Sequence, residues 1–209
     1  MDIALGNKII SDKISEIVAL KLWQTGAIKI NFSNPFVLAS GNTSPIYINC
    51  RILISDPEFC SMFPSFVKMQ LSNIHFDVIA GGESAGIPFA SFLATAYYKP
   101  MIYVRKKSKD YGMKNLIEGS LEKDQEVLLV EDLITDAGSK LNFIDSIKSS
   151  GGKIENVLVI FNRKQGGEEI LMKQNIKLHS LCDIQIAMDF GVKNGLITAD
   201  DANKLLQKI

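Results

Sequence analysis

The chain carries no excess of either charge: 23 Lys and Arg balance 23 Asp and Glu over 209 residues. That absence removes the global basic field that draws a protein to nucleic acid. Histidine is scarce, with only His75 and His179, and neither has a metal-like neighbour at helical or hairpin spacing. A structural zinc and a histidine-based triad are therefore not expected. The three cysteines, Cys50, Cys60 and Cys182, lie far apart, form no C-x-x-C pair and are odd in number. This usage points to reduced, buried thiols in a cytoplasmic protein and away from a disulfide framework. Long apolar runs are missing too. The longest uncharged stretch, Ser84 to Tyr98, is too short for a membrane helix and contains Gly86 and Pro88, so it suits a helix packed on a sheet. Met1 to Gly6 lacks the basic start and apolar stretch of a signal peptide. Repeats, low-complexity tracts, linkers and a clear internal boundary are also lacking. With 46% hydrophobic and 22% charged residues, the chain can bury the core of one domain.

The hydrophobic pattern alternates between helices and strands. Ile10, Ile14, Ile17, Val18 and Leu22 predict one helical face, with Gly26 as its stop. Short apolar segments follow near Ile28–Ile30, Phe36–Leu38 and Ile46–Ile48. Asp56-Pro57 reads as a helix start with Phe59, Met62, Phe63, Phe66 and Leu71 inward, and Pro64 is expected to kink that helix or delay it. The core rhythm is then strand Phe76–Ala80, helix from about Ala85, strand Met101–Arg105, strand Val127–Val130 and helix after Ser139. Gly151-Gly152 turns into strand Val157–Phe161, and Ile176–Leu181 is a further strand. Asp183 and Thr198 with Asp201 are candidate helix caps, and Gly195 a helix end. Strands separated by helices predict an α/β fold with a mostly parallel central sheet, and ligands beyond the strands' C-terminal ends. Residues up to about 70 read as a cap on that sheet, 71–182 as the core and 183–209 as a helical tail.

The most informative stretch is Val127 to Ser139. An uncharged run, Val127-Leu128-Leu129-Val130, meets two adjacent carboxylates, Glu131 and Asp132. Leu133, Ile134, Thr135, Asp136, Ala137, Gly138 and Ser139 then form a small-residue loop opening a helix. The acids can accept hydrogen bonds from vicinal ribose hydroxyls while loop N–H groups and the helix dipole hold a phosphate. An ordinary strand-loop-helix junction with a capping Asp and Ser fits the same residues, and chemistry alone leaves both readings open.

This stretch resembles the phosphoribosyl pyrophosphate (PRPP) signature of the type I phosphoribosyltransferases. Asp136 and Ala137 stand where many members carry Thr or Gly, while the acids, Thr135 and Gly138 are in place. Four further segments extend the resemblance to the orotate phosphoribosyltransferases. Ser40-Gly41-Asn42-Thr43-Ser44-Pro45-Ile46-Tyr47, by its residues a hairpin corner, is similar to an S-G-x-x-S-P-x-Y element of that family. The likeness implies an N-terminal hood over the base, with Tyr47 and Ile48 near the pyrimidine. Many members have a Lys where this chain has Ala39. Gly81-Gly82-Glu83-Ser84-Ala85-Gly86, otherwise a plain strand-helix turn, lacks the marks of a P-loop or a dinucleotide fingerprint. It matches the family's pyrophosphate loop, with Gly82, Glu83, Ser84 and Ala85 at the contact positions and Ala85 where some members carry Lys.

The basic run Arg105-Lys106-Lys107-Ser108-Lys109-Asp110-Tyr111-Gly112 reads by itself as a solvated loop. It resembles the family's R-K-x-x-K-x-H-G loop, which closes over the neighbouring subunit's site. That assigns Arg105, Lys106, Lys109 and Tyr111 to PRPP and makes Lys109 the candidate catalytic cation beside Glu131 and Asp132. Tyr111 replaces the usual His and cannot be a cation near neutral pH. Arg163, by itself a surface charge after a strand, falls where the family pairs an Arg with the orotate carboxylate, and Thr135 joins it at the base.

The resemblance implies transfer of phosphoribosyl from PRPP to orotate, giving orotidine 5'-monophosphate and pyrophosphate in pyrimidine biosynthesis. It also implies Mg2+ carried mainly by PRPP rather than by protein ligands, a homodimer, and no nucleic-acid or membrane partner. A phosphoribosyltransferase for another base would lack the Ser40–Tyr47 element and Arg163. A PRPP-sensing regulator on the same fold would carry an added nucleic-acid module or a basic face, and neither is visible.

Overall fold

The computed structural model describes residues 3–37, 41–106 and 116–207. Helix α1 (Ile3–Gln24) leads into two short antiparallel pairs, β1 (Ile28–Ile30) with β4 (Ile46–Ile48) and β2 (Phe36–Val37) with β3 (Thr43–Ser44). A 3-10 helix (Cys50–Ser55) and α2 (Pro57–Gln70) follow. Then come β5 (Val78–Gly82), α3 (Gly86–Tyr97), β6 (Met101–Val104), β7 (Ile117–Glu118), β8 (Glu126–Ile134), α4 (Gly138–Ser149) and β9 (Lys153–Asn162). The described chain closes with α5 (Gly167–Met172), β10 (Lys177–Asp183), α6 (Ile184–Lys193) and α7 (Ala199–Leu206).

Six strands form one sheet in the order β10-β9-β8-β5-β6-β7, parallel throughout except for the β6–β7 pair. From β5 the chain steps to β6 on one side, then returns to place β8 on the other. Loops leaving β5 and β8 therefore diverge, which is where an open α/β sheet forms its crevice.

The apolar run in β8 follows from burial on both faces. Leu128 and Val130 pack into a core shared with α1, α2, α3, α6 and α7, while Val127 and Leu129 join Phe143, Ile144 and Ile147 of α4 on the opposite face. This two-residue alternation continues past the apolar run and sends Glu131 to the α4 side and Asp132 to the other. The strand does not stop at Val130, as the pattern predicts, but runs to Ile134 with both acids inside the ladder.

Other boundaries shift for similar reasons. β5 begins at Val78, because its ladder with β8 opens at Val78–Val127, and the Asp77 carboxylate instead caps the Glu126 N–H. In α1 the inward face is Ile14, Ser15, Val18, Ala19 and Leu22, whereas Ile10 and Ile17 are exposed. Helix α2 starts at Pro57 and continues through Pro64, so Pro64 does not delay it. The Asp56 carboxylate accepts from the Glu58 and Phe59 N–H groups at its start. The expected caps at Asp183 and Thr198 are present, and Gly26 and Gly195 take positive φ after their helices. All three cysteines are free; Cys50 and Cys182 are buried and Cys60 partly so. Among the described residues no helix is long and apolar enough to cross a membrane.

Candidate active site

A cleft of about 570 Å³ opens at the C-terminal ends of β5, β6, β8 and β9. It is bounded by residues from each loop that the sequence singles out: Tyr47 and Ile48, Glu83 to Ala85, Lys106, Glu131 to Leu133, Thr135, Asp136, Ser139 and Arg163. A cavity of similar size beside Leu116, Leu121 and Ser146 carries one carboxylate, Asp145, and no cation among the described residues. It has no comparable chemistry.

Glu131 and Asp132 are both buried, yet their surroundings differ. Glu131 Oε2 lies 2.8 Å from Lys140 Nζ, with both side chains buried. Its Oε1 is also buried and has no hydrogen-bond partner. Burial pushes the Glu131 carboxyl above the usual carboxylate range, and Lys140 pulls it back. Asp132 Oδ2 lies 3.7 Å from Nε of Arg51, a largely exposed side chain at the cleft mouth.

Two glycines make room for the Glu131 carboxylate. A Cβ on Gly82 would overlap Glu131 Oε1 and the Phe143 ring, and one on Gly86 would overlap the Val130 carbonyl and the same Oε1. Gly82 thus shapes the site from behind without lining it.

The loop after β8 is tied by its own side chain. Asp136 Oδ1 accepts from the Gly138 N–H and the Thr135 hydroxyl, each at 3.2 Å, and these bonds hold the Asp136 carboxyl below its ordinary range. Ala137 turns the chain with φ +64°, a left-handed conformation that glycine adopts more readily. The α5 start braces the loop from behind, where Gly167 donates to the Thr135 carbonyl at 2.9 Å.

Arg163 is the second buried cation of the cleft. Its backbone N–H is fixed to the Ile134 carbonyl at 3.0 Å, and its side chain reaches the cleft with Nε buried and without a partner. It forms no ion pair among the described residues, and burial lowers its affinity for its proton. Across the cleft the Tyr47 ring, half exposed, packs on Phe36 with centroids 5.7 Å apart.

Not every expected residue reaches the cleft. Ile134 and Ala137 are buried in the α4-side core, and Gly138 opens α4 without facing the cavity. Arg105 turns away, with Nη1 3.6 Å from Glu118 Oε1 across the β6–β7 pair. Lys106 does reach it, and its N–H donates to Glu83 Oε2 at 2.7 Å, joining two of the loops. Ala39, Lys109 and Tyr111 lie outside the described residues.

Lys140, Arg51, Asn49, Asn42 and Gln165 also line the cavity without having been assigned to it. For Lys140 the available signal was a cation one residue beyond the phosphate-type loop, in the first turn of a helix. Cations belong at helix C-termini, so its position calls for a buried acid nearby.

Comparison with known proteins gives concordant matches. A model of the phosphoribosyl transferase domain matches residues 66–191. An orotate phosphoribosyltransferase of a Ruegeria species is 43% identical over 178 residues, 82% of this chain and 79% of that protein. Among solved structures, Leishmania donovani UMP synthase superposes with a TM-score of 0.80 at 25% identity, over 93% of this chain and 42% of that one. The orotate phosphoribosyltransferase of Aeropyrum pernix gives 0.74 at 27% identity, over 86% and 99%.

Proposed function

The chain belongs to the orotate phosphoribosyltransferases within the phosphoribosyltransferase family, and from that premise we propose that it transfers phosphoribosyl from PRPP to orotate. The products are orotidine 5'-monophosphate and pyrophosphate. The observation that carries this reading is Arg163, a buried guanidinium that pairs with no anion among the described residues, on the same cleft as two acids and a phosphate-type loop. A planar fork at that position pairs with a carboxylate in two parallel hydrogen bonds, which distinguishes orotate from uracil.

In this reading the loop residues that line the cleft, Thr135, Asp136 and Ser139, hold the 5'-phosphate at the start of α4, and Glu131 and Asp132 accept from the ribose hydroxyls. An orotate ring nitrogen attacks the anomeric carbon, and pyrophosphate leaves with the bonding pair. Positive charge grows on the ribose as that bond stretches, and the two carboxylates favour it. Glu83 to Ala85 and Lys106 face the departing pyrophosphate. Lys109 closes over it from a second copy of the chain, a role that rests on the resemblance of its loop. Residues up to about 70 act as a hood, supported by Tyr47, Ile48 and Arg51 lining the cleft.

Magnesium fits as a partner of the substrate. Mg2+ characteristically keeps waters and binds through substrate phosphates, and PRPP offers those oxygens. When bound it supplies charge neutralisation on the pyrophosphate, and the chain's own residues position the ribose and base. We place the enzyme in the cytoplasm, on the strength of its reduced cysteines.

The test is direct: purified protein with PRPP, Mg2+ and orotate should consume orotate's ultraviolet absorbance. Uracil, adenine and hypoxanthine should be turned over far more slowly. No orotate loss, or faster use of another base, overturns the reading. Light scattering during size exclusion should report a dimer, and a monomer in assay buffer would remove the trans role of Lys109.

A further inference from the structure

We propose that Lys140 is a positioning residue for the reaction, holding the Glu131 carboxylate in place for the ribose and tying it to the phosphate loop. The inference rests on the function proposed above. Its observations are independent of the base.

Lys140 stands in the first turn of α4, where a cation opposes the positive end of the helix dipole. It is nevertheless buried, which costs desolvation unless an anion repays it. The anion is Glu131, 2.8 Å away, and the same Nζ lies 3.3 Å from Ser139 Oγ at the end of the phosphate-type loop. One ammonium therefore touches the ribose half and the phosphate half of the cradle. Gly82 and Gly86 back Oε1 on the other side, where a Cβ at either position would overlap it. Oε2 is anchored and Oε1 is unpartnered, which leaves Oε1 as the acceptor still needing a donor. Lys140 thereby fixes a carboxylate whose residue lines the cleft where the ribose is proposed to sit. Asp132 has no such anchor, because its cationic neighbour Arg51 is largely exposed at 3.7 Å.

The groups facing Glu131 are Lys140 from α4, Asp132 on its own strand and Lys106 after β6. Burial raises the Glu131 carboxyl and Asp132 adds to the rise, while the two lysines oppose it. Removing Lys140 therefore moves Glu131 ionisation to higher pH.

The experiment measures PRPP affinity by calorimetry and kcat/KM for orotate across pH 5 to 9 in wild type, Lys140→Met, Lys140→Arg, Glu131→Gln and the Glu131→Gln/Lys140→Met double variant. Lys140→Met should lose about 30-fold or more in kcat/KM, the scale set by removing one partner of a buried charge pair. Its acid limb should move to higher pH, and Lys140→Arg should restore the wild-type limb. The double variant should be no worse than Glu131→Gln, because Lys140 acts through that carboxylate. If Lys140→Met does not fold, Lys140→Gln replaces it with the same expectations. An unmoved acid limb in a folded variant, or a double variant with additive losses, overturns the inference. Wild type that binds no PRPP would instead sink the proposed function, so the two failures are distinguishable.

Discussion

The two adjacent acids of β8 divide the cleft into sides of different character. On the α4 side Glu131 is held by the buried Lys140 and backed by Gly82 and Gly86, and the same Lys140 reaches Ser139. On the opposite side Asp132 faces an exposed Arg51, and Arg163 waits with its Nε unpartnered. The alternation of a β-strand is enough to create this split, since neighbouring residues point to opposite faces. On the proposed function both acids serve the ribose, Glu131 from a buried ion pair and Asp132 from beside an exposed cation. Arg163, with its Nε unpartnered, is then left for the part of the substrate that differs between family members.

The largest expected effect breaks the unpaired side. Arg163→Leu should lower kcat/KM for orotate by about a hundredfold to a thousandfold, from the cost of truncating a desolvated charge pair. Arg163→Lys should recover little, because an ammonium cannot reproduce the planar fork. Steady-state kinetics with orotate and uracil side by side read this out, and a retained orotate preference in Arg163→Leu would remove the assignment.

The next effect breaks the enclosed side. Gly86→Ala should destabilise the fold by about 1–3 kcal/mol through overpacking against the Val130 carbonyl and Glu131. Urea denaturation measures that cost, and PRPP calorimetry on the folded fraction should show weakened binding. Unchanged stability would mean that the glycine is not needed for the carboxylate.

Much of this was legible in the residues, because the fold's main strand is buried on both faces and so reads as an uninterrupted apolar run. The acids, the small-residue loop and Arg163 follow it at fixed offsets. What was not legible depended on contacts between distant segments. Glu131 and Asp132 look like the end of a strand, yet cations from α4 and from the 3-10 helix let the ladder continue through them. Lys140 looks like a solvated first-turn residue until α4 lies against β8. Ile10 and Ile17 fit a helical stripe by spacing, but the face that packs is centred on Val18 and Leu22, leaving both at the surface. Arg105 sits in a basic run that resembles a phosphate loop, and only the short β7 strand reveals Glu118 as its neighbour.

Smaller effects sharpen the contrast between the acids. Arg51→Ala should change stability by less than about 1 kcal/mol, as expected for a pair with one exposed partner. A larger loss in thermal or urea melts would mean that Asp132 is as firmly held as Glu131. Ala137→Gly should be close to neutral. Relief of the left-handed backbone, about 1 kcal/mol, is offset by the greater freedom of glycine in the unfolded chain. A melting shift of many degrees in either direction would contradict that balance.

The division of the cleft is tested most directly by titrating Mg2+-PRPP into wild type and Arg163→Leu in the same calorimeter, without orotate. Equal PRPP affinity in the two proteins, within about twofold, beside a collapse of orotate turnover in the variant is the predicted result. A tenfold loss of PRPP affinity in Arg163→Leu would contradict it and show that the two sides form a single unit.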